Sequence, residues 1–232
     1  MLQKRPAAER GHVQHGWLDA RHSFSFATYH DPANMGFRTL RVLNDDRIAP
    51  GAGFGTHGHR DMEIITWVLE GELAHKDSMG NGSTLKPGVA QRMSAGTGIR
   101  HSERNGSPTE GLRLLQIWIL PERPGLEPGW EERHFAESER QGRLKLIATP
   151  EDDDGALKIH QDVRVYVANL EKGDAVTHAL EPGRGAWVQV ARGSLTVNGE
   201  RLEEGDGGAI EDETEIVFAN GDGAEVLLFD LA

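Results

Sequence analysis

The 232-residue sequence has no cysteine. Disulfide frameworks, thiolate zinc sites and cysteine nucleophiles are therefore excluded, and any bound metal must be held by nitrogen and oxygen. Basic residues are outnumbered: 25 Lys and Arg against 37 Asp and Glu leave a formal net charge of −12. No basic run interrupts that excess, so the footprint of a nucleic-acid binder is missing and direct nucleic-acid binding is not expected. Long apolar runs are missing too. No window approaches the ~20 consecutive apolar residues of a membrane span, and "MLQKRPAAERGHVQHGWLDA" has no apolar core of the length a secretory signal needs. The expectation is a cytoplasmic protein with no membrane association.

What is abundant is glycine, 29 residues, which suggests many tight turns. Short apolar runs recur with turn signals between them: "LRVLN", "MEIITWVL", "MGNGST" with its Asn81-Gly82 hairpin signal, "LKPGV" and "LRLLQIWIL". This spacing predicts an all-β sandwich or barrel. The pattern stops at Pro121, where "PERPGLEPGWEERHFAESERQG" supplies three prolines, charges and at most one short helix around residues 130–140. Strand-like runs then resume with "VRVYVANL", "AWVQVARGSLTVNGE", "EIVFAN" and "EVLLFDLA". The expected division is 1–120 as a first barrel, 121–141 as a linker and 142–232 as a second barrel.

The two halves echo each other. "VLEGEL" at Val68 to Leu73 matches "VARGSL" at Val190 to Leu195, and Gly82, Leu85 and Gly88 recur as Gly199, Leu202 and Gly205. Two echoes in the same order point to a duplicated β domain.

Two short stretches carry chemistry. In "GFGTHGHRDMEIITWVLEGE", His57 and His59 stand two apart at the entrance to an apolar run, and in "SAGTGIRHSERN" His101 and Glu103 have the same spacing. Positions i and i+2 of a strand share a face, so each pair projects together and two neighbouring strands could bring the pairs into one site. Three imidazoles and a carboxylate suit one divalent first-row metal ion, with coordination positions left open. Counting from the matched glycines, the corresponding positions in the second half are Ala179, Glu181, Phe218 and Asn220, with His178 one residue out of register. The metal is therefore expected in the amino-terminal half alone.

These stretches resemble the cupin motifs, and the first half as a whole resembles the pirin family of two-barrel cupins. The marks are "HGWLDARHSFSFATYHDP", "MGFRTLRVLNDDRIAPGAGFGTHGHRDMEIITWVLEGEL" and "MSAGTGIRHSERN", which cover most of residues 10–120; the second half matches loosely. The resemblance implies a bicupin, two double-stranded β-helix (jelly-roll) barrels packed together. It implies iron as the metal, with manganese, nickel, copper, cobalt and zinc as other first-row candidates, held by His57, His59, His101 and Glu103. Against the general cupin pattern, Gly71 comes one place late, Ser94 replaces a proline and two extra residues precede His101. Glu63 occupies the position of the glutamate that ligates in many cupins; closeness to pirin favours Glu103, while spacing alone leaves Glu63 open.

Some bacterial pirins open the heterocyclic ring of quercetin with dioxygen and release carbon monoxide. The resemblance thus implies a quercetin 2,3-dioxygenase-like enzyme, with a flavonol-like aromatic substrate and O2 as partners. Glu103 would be the catalytic base that removes the flavonol 3-hydroxyl proton. Pirin itself is described as a nuclear transcription cofactor, so the rival reading is a non-enzymatic, metal-dependent regulator with a protein partner; a metal-dependent isomerase or hydrolase is a third.

Other residues read more plainly. His12, His15, His22, His30, His75, His134 and His160 lack a partner pattern and read as capping, surface or core histidines. Gln116 and Trp118 alternate with Leu115 and Ile117 and either line a pocket or fill the barrel wall. "EDDDG" at 151–155 lacks the spaced ligands of a calcium loop and reads as a solvated turn. "SAGTG" is no phosphate loop, since no Lys-Ser/Thr follows it.

Overall fold

A computed structural model describes residues 1–153 and 155–232; Asp154, one residue of the "EDDDG" stretch read from the sequence as a turn, lies outside the described residues. The chain is nearly all β. In order, the strands are β1 (Leu2–Arg5), β2 (Gly11–Gln14), β3 (Leu18–His22), β4 (Leu40–Ile48), β5 (Gly53–His59), β6 (Glu63–Glu70), β7 (Leu73–Asp77), β8 (Gly82–Leu85), β9 (Val89–Ser94) and β10 (Ile99–Asn105). They continue with β11 (Leu112–Ile119), β12 (Gly129–His134), β13 (Lys145–Thr149), β14 (Leu157–Lys158), β15 (Val163–Leu170), β16 (Ala175–Ala179), β17 (Gly185–Val197), β18 (Glu200–Glu203), β19 (Gly207–Ile210) and β20 (Glu215–Leu231). A 3-10 turn at Ala7–Glu9 and one α-helical turn, α1 (Glu137–Arg140), interrupt them. No helix among the described residues is long and apolar enough to cross a membrane.

The described residues form two compact units. One comprises 11–134 and 159–161, the other 1–10, 135–158 and 162–232. The first unit has a seven-stranded sheet in the order β12-β9-β6-β11-β4-β3-β2 and a four-stranded sheet in the order β5-β10-β7-β8. β6 lies between β9 and β11, which explains why its first seven residues are all buried and why "EIITWVL" reads as a continuous apolar run. Leu73 and Leu85 from the smaller sheet pack with Val68, Leu112 and Leu114 from the larger one. Each such side chain contributes about 1.5–3 kcal/mol by leaving water.

Two segments differ from the sequence reading. Residues 121–141 were expected to be a linker, yet β12 within them pairs antiparallel with β9 from Gly129↔Ser94 to His134↔Val89. "GWEERH" is a polar edge strand, and its charges hide it from a search for apolar runs. Residues 1–10, expected in the first barrel, belong to the second unit, where β1 pairs with β19. Gly208 admits it: a Cβ there would stand 2.5 Å from the Leu2 Cδ1 atom. Lys4 then reaches the Asp206 carboxylate at 2.8 Å.

The duplication is visible in the turns. Gly88 and Gly205 both have φ of +85°, and each is the third residue of the same kind of four-residue turn, closed by Val89 N–H to Lys86 C=O and by Asp206 N–H to Glu203 C=O. Gly71 and Gly193 are left-handed at φ +75° and +62°, and a Cβ on either would meet a carbonyl oxygen at 2.3 Å. Glycine alone fits both.

Strand register corrects the residue count between the units. Across β5 and β10, His59 faces Ile99 and His57 faces His101. Across β16 and β20, His178 faces Ile216 and Val176 faces Phe218. With Phe218 at the place of His101, His178 falls at the place of His59 and Val176 at that of His57. The count from the glycines overshot because the connection after β16 is longer: His59 precedes Gly71 by 12 positions and His178 precedes Gly193 by 15.

Candidate metal centre

Alternation on β10 buries Ile99, His101, Glu103 and Asn105 and turns Arg100 and Arg104 outward. His101 and Glu103 therefore share the inner face, as the spacing predicted. β5 runs antiparallel beside it with His57 directly opposite His101. A bulge between His101 and Glu103 shifts the register, so Glu103 pairs with Phe54. On its other side β10 pairs with β7, where Glu103 faces His75 and His101 faces Asp77.

The structure brings His57, His59 and His101 together. The His101 Nε2 atom lies 2.9 Å from His59 Nε2 and 3.0 Å from His57 Nε2. The His57 Nδ1–H donates to the Gly55 carbonyl at 2.8 Å, which leaves the Nε2 lone pair facing its neighbours. Burial first, and then His57, lowers the His59 pKa to about 4; burial first, then His57, His59 and His75, lowers that of His101 to about 3. At neutral pH these two rings are uncharged. A single imidazole nitrogen cannot complete hydrogen bonds to two others at once, so the trio is short of a positive centre. Two nitrogens at right angles, each about 2.1 Å from a metal ion, stand about 3.0 Å apart. The donor set fits a divalent cation on this ground.

Glu103 is fully buried, and burial raises its pKa to about 7 against the opposing hydrogen bonds of Thr66 and Gln116. The Gln116 amide donates to Oε2 at 2.9 Å, and the Thr66 hydroxyl lies 3.4 Å from Oε1. Its carboxylate forms a second close group with His75 and His101, donor atoms within 4.8 Å of one another, so His101 belongs to both groups. Glu63 is in neither. Sitting on the opposite face of β6 from Thr66, it accepts from the Ser94 hydroxyl at 3.0 Å and from the His160 backbone N–H at 3.2 Å.

A cavity of about 270 Å³ opens beside the trio. Phe26, Phe54 and Trp118 supply its aromatic walls, and Asn44, Asp46, Gln116 and Glu103 its polar groups. The Trp118 ring meets His59 edge-on at 4.8 Å, and Phe26 meets Trp118 edge-on at 5.2 Å. Gln116 and Trp118, left between pocket and wall by the sequence, line the pocket. His75 was set aside; its signal was the i, i+2 spacing to Asp77, the same spacing that marks the other pairs. Burial lowers the His75 pKa, against the opposing pull of Asp77.

His178, by contrast, places Nε2 2.8 Å from the Asp230 carboxylate and meets the Tyr166 ring at 5.0 Å with the planes tilted by 59°. Its partner is an anion, and Val176, Phe218 and Asn220 stand where further ligands would be needed.

Comparison with known proteins establishes the family. The model of the pirin family matches residues 3–119, and that of the quercetinase C-terminal cupin domain matches residues 146–231. The chain belongs to the pirin family. This pirin is 52% identical over 231 residues to a quercetin 2,3-dioxygenase of Escherichia coli K12, covering 100% of this chain and 99% of that one. A pirin-like protein of Caulobacter vibrioides is 44% identical, with each chain fully covered. Among solved structures, the bacterial pirin YhhW of Escherichia coli in complex with nickel(II) superposes with a TM-score of 0.95 at 52% identity, covering 100% and 99% of the two chains. Both units are thus cupin barrels, the bicupin architecture expected from the motifs.

Proposed function

We propose that this pirin binds one divalent first-row metal ion through His57, His59, His101 and Glu103, and that it uses the ion to cleave a flavonol such as quercetin with O2, releasing carbon monoxide. The observation that carries the reading is the convergence of three lone-pair nitrogens at the wall of an aromatic-lined cavity. The nickel(II) complex of the 52% identical YhhW and the naming of the Escherichia coli relative as a quercetin 2,3-dioxygenase support it. When bound, the metal supplies Lewis acidity that lowers the cost of ionising the substrate hydroxyl.

The chain supplies the rest. Phe26, Phe54 and Trp118 hold a flat aromatic molecule against apolar walls. Glu103, buried at the cavity wall and raised in pKa by that burial in the metal-free chain, takes the proton of the flavonol 3-hydroxyl onto a carboxylate oxygen. Gln116 and Thr66 fix that carboxylate in place and favour its ionised form. The ionised flavonol is electron-rich enough for O2 to add across its heterocycle.

The test is quercetin decay, O2 uptake and carbon monoxide release by protein loaded separately with iron and with nickel. Stoichiometric O2 consumption and carbon monoxide release are expected. A fully metallated preparation that leaves quercetin intact would end the dioxygenase reading.

A further inference from the structure

His75 is buried, 1% exposed, yet neither of its ring nitrogens has a hydrogen-bond partner. The Asp77 Oδ2 atom stands 3.6 Å from Nε2, beyond hydrogen-bond length. His101 has the complementary defect: Nε2 faces His57 and His59, while Nδ1 is buried and unpartnered. His57 differs, since its Nδ1–H is fixed by the Gly55 carbonyl. A histidine that ligates metal through one nitrogen is normally oriented by a hydrogen bond from the other. His101 therefore needs an acceptor, and the side chain beside it is His75, ring centroids 5.4 Å apart.

Donor atoms of His75, His101 and Glu103 lie within 4.8 Å of one another. His75 Nδ1 and His101 Nδ1 make no direct hydrogen bond across that gap, and two hydrogen bonds meeting at one intervening atom can span it. A buried water needs two to four polar partners, and this group offers three. Trp130 stacks on His75 at 6.1 Å with ring planes 19° apart and fixes the plane of the imidazole.

We propose that His75 is a positioning residue for the metal centre, holding His101 in its Nδ1–H tautomer through one buried water. The water accepts from His101 Nδ1–H and donates its two hydrogens to His75 Nδ1 and to a Glu103 oxygen. His75 Nε2–H is then turned toward Asp77, whose carboxylate is held by the backbone N–H groups of Met79 and Asn81 at 2.9 and 3.0 Å. The consequence for metal binding rests on the reading that the trio holds an ion; the consequence for the tautomer does not.

The test compares wild type, His75→Phe, His75→Asn and His75→Gln. Phenylalanine keeps a ring against Trp130 without nitrogens, asparagine places a polar atom where Nδ1 was, and glutamine places one where Nε2 was. Long-range ¹H–¹⁵N spectra of the metal-free proteins at neutral pH read the His101 tautomer, and chelator competition reads nickel(II) affinity. Wild type and His75→Asn are expected to show a single Nδ1–H form, and the other two variants a mixture. Nickel affinity should fall about 10–100-fold in His75→Phe and His75→Gln and recover in His75→Asn. An unchanged tautomer in His75→Phe, or equal behaviour of the asparagine and glutamine variants should His75→Phe not fold, overturns the proposal. Two nickel ions per wild-type chain overturn it as well, since the second would occupy the place of the water. If wild type binds no nickel, the metal reading fails, and the tautomer comparison still decides the role of His75.

Discussion

His57 and His101 face each other as a cross-strand pair between β5 and β10, with their Nε2 atoms 3.0 Å apart. A pair that close is fixed by sheet register, so the candidate centre is positioned by the two strands that carry it. The other unit has Val176 and Phe218 as the equivalent pair. Elemental analysis is therefore expected to give one metal ion per chain. His101→Ala should abolish metal retention and His178→Ala should leave it intact; equal losses would place the ion in the wrong barrel.

Glu103 separates catalysis from metal storage. Glu103→Gln keeps the size and one oxygen donor but removes the charge and the basicity. The variant is expected to retain a substantial part of its metal on the three imidazoles while quercetin turnover falls roughly 10²–10⁴-fold. Metal content and quercetin decay measured on the same preparation check this, and undiminished turnover in a metallated variant would remove the base role.

Period-two alternation made much of this site legible: His101 and Glu103 on one face of β10, and His57 and His59 on one face of β5, follow from spacing alone. Which strands adjoin does not. His75 comes beside His101 and Glu103 because β7 pairs with β10, a contact between segments with no shared motif. The exclusion of Glu63 was likewise hidden, because it depends on Ser94 and His160 claiming its carboxylate. β12 escaped for a different reason: an edge strand satisfies its backbone at one side and needs no apolar run. The equivalence of His178 and His59 was lost because residue counting cannot cross a connection whose length has changed.

Gln116 tunes Glu103 through its 2.9 Å hydrogen bond to Oε2. That bond favours the carboxylate, so its loss raises the Glu103 pKa further. In Gln116→Leu the acid limb of the pH–rate profile for quercetin should move to higher pH. A limb that stays in place, with metal content unchanged, would show that another group controls it.

Two glycines distinguish backbone conformation from close approach. Gly16 is left-handed at φ +69° with open space where a Cβ would stand, whereas at Gly71 the Cβ would meet the Gly111 carbonyl oxygen at 2.3 Å. Gly16→Ala should cost about 1–2 kcal/mol, the penalty of the left-handed region. Gly71→Ala should cost clearly more, because the connection between β6 and β7 must move. Urea unfolding midpoints of the two variants measure the difference.

The metal-free centre also sets a pH dependence of stability. His59 and His101 have pKa values of about 4 and about 3 in the folded chain against 6.5 for the free side chain, so between those limits the unfolded state binds more protons. Stability gained from these two histidines is complete above about pH 6.5 and is lost as pH falls. Glu103 acts in the opposite sense: its folded pKa of about 7 exceeds the free value of 4.5, so in that window the folded state binds more protons and stability falls as pH rises. Two histidines outweigh one glutamate, and stability of the metal-free protein should rise with pH between about 4.5 and 6.5, less steeply than the histidines alone would make it. Glu103→Gln removes the opposing contribution, so the variant's stability should climb more steeply than that of wild type across the same interval. Urea midpoints of both metal-free proteins at pH 4.5, 5.5 and 6.5 provide the comparison, and parallel curves would show that Glu103 keeps an ordinary pKa in the folded chain.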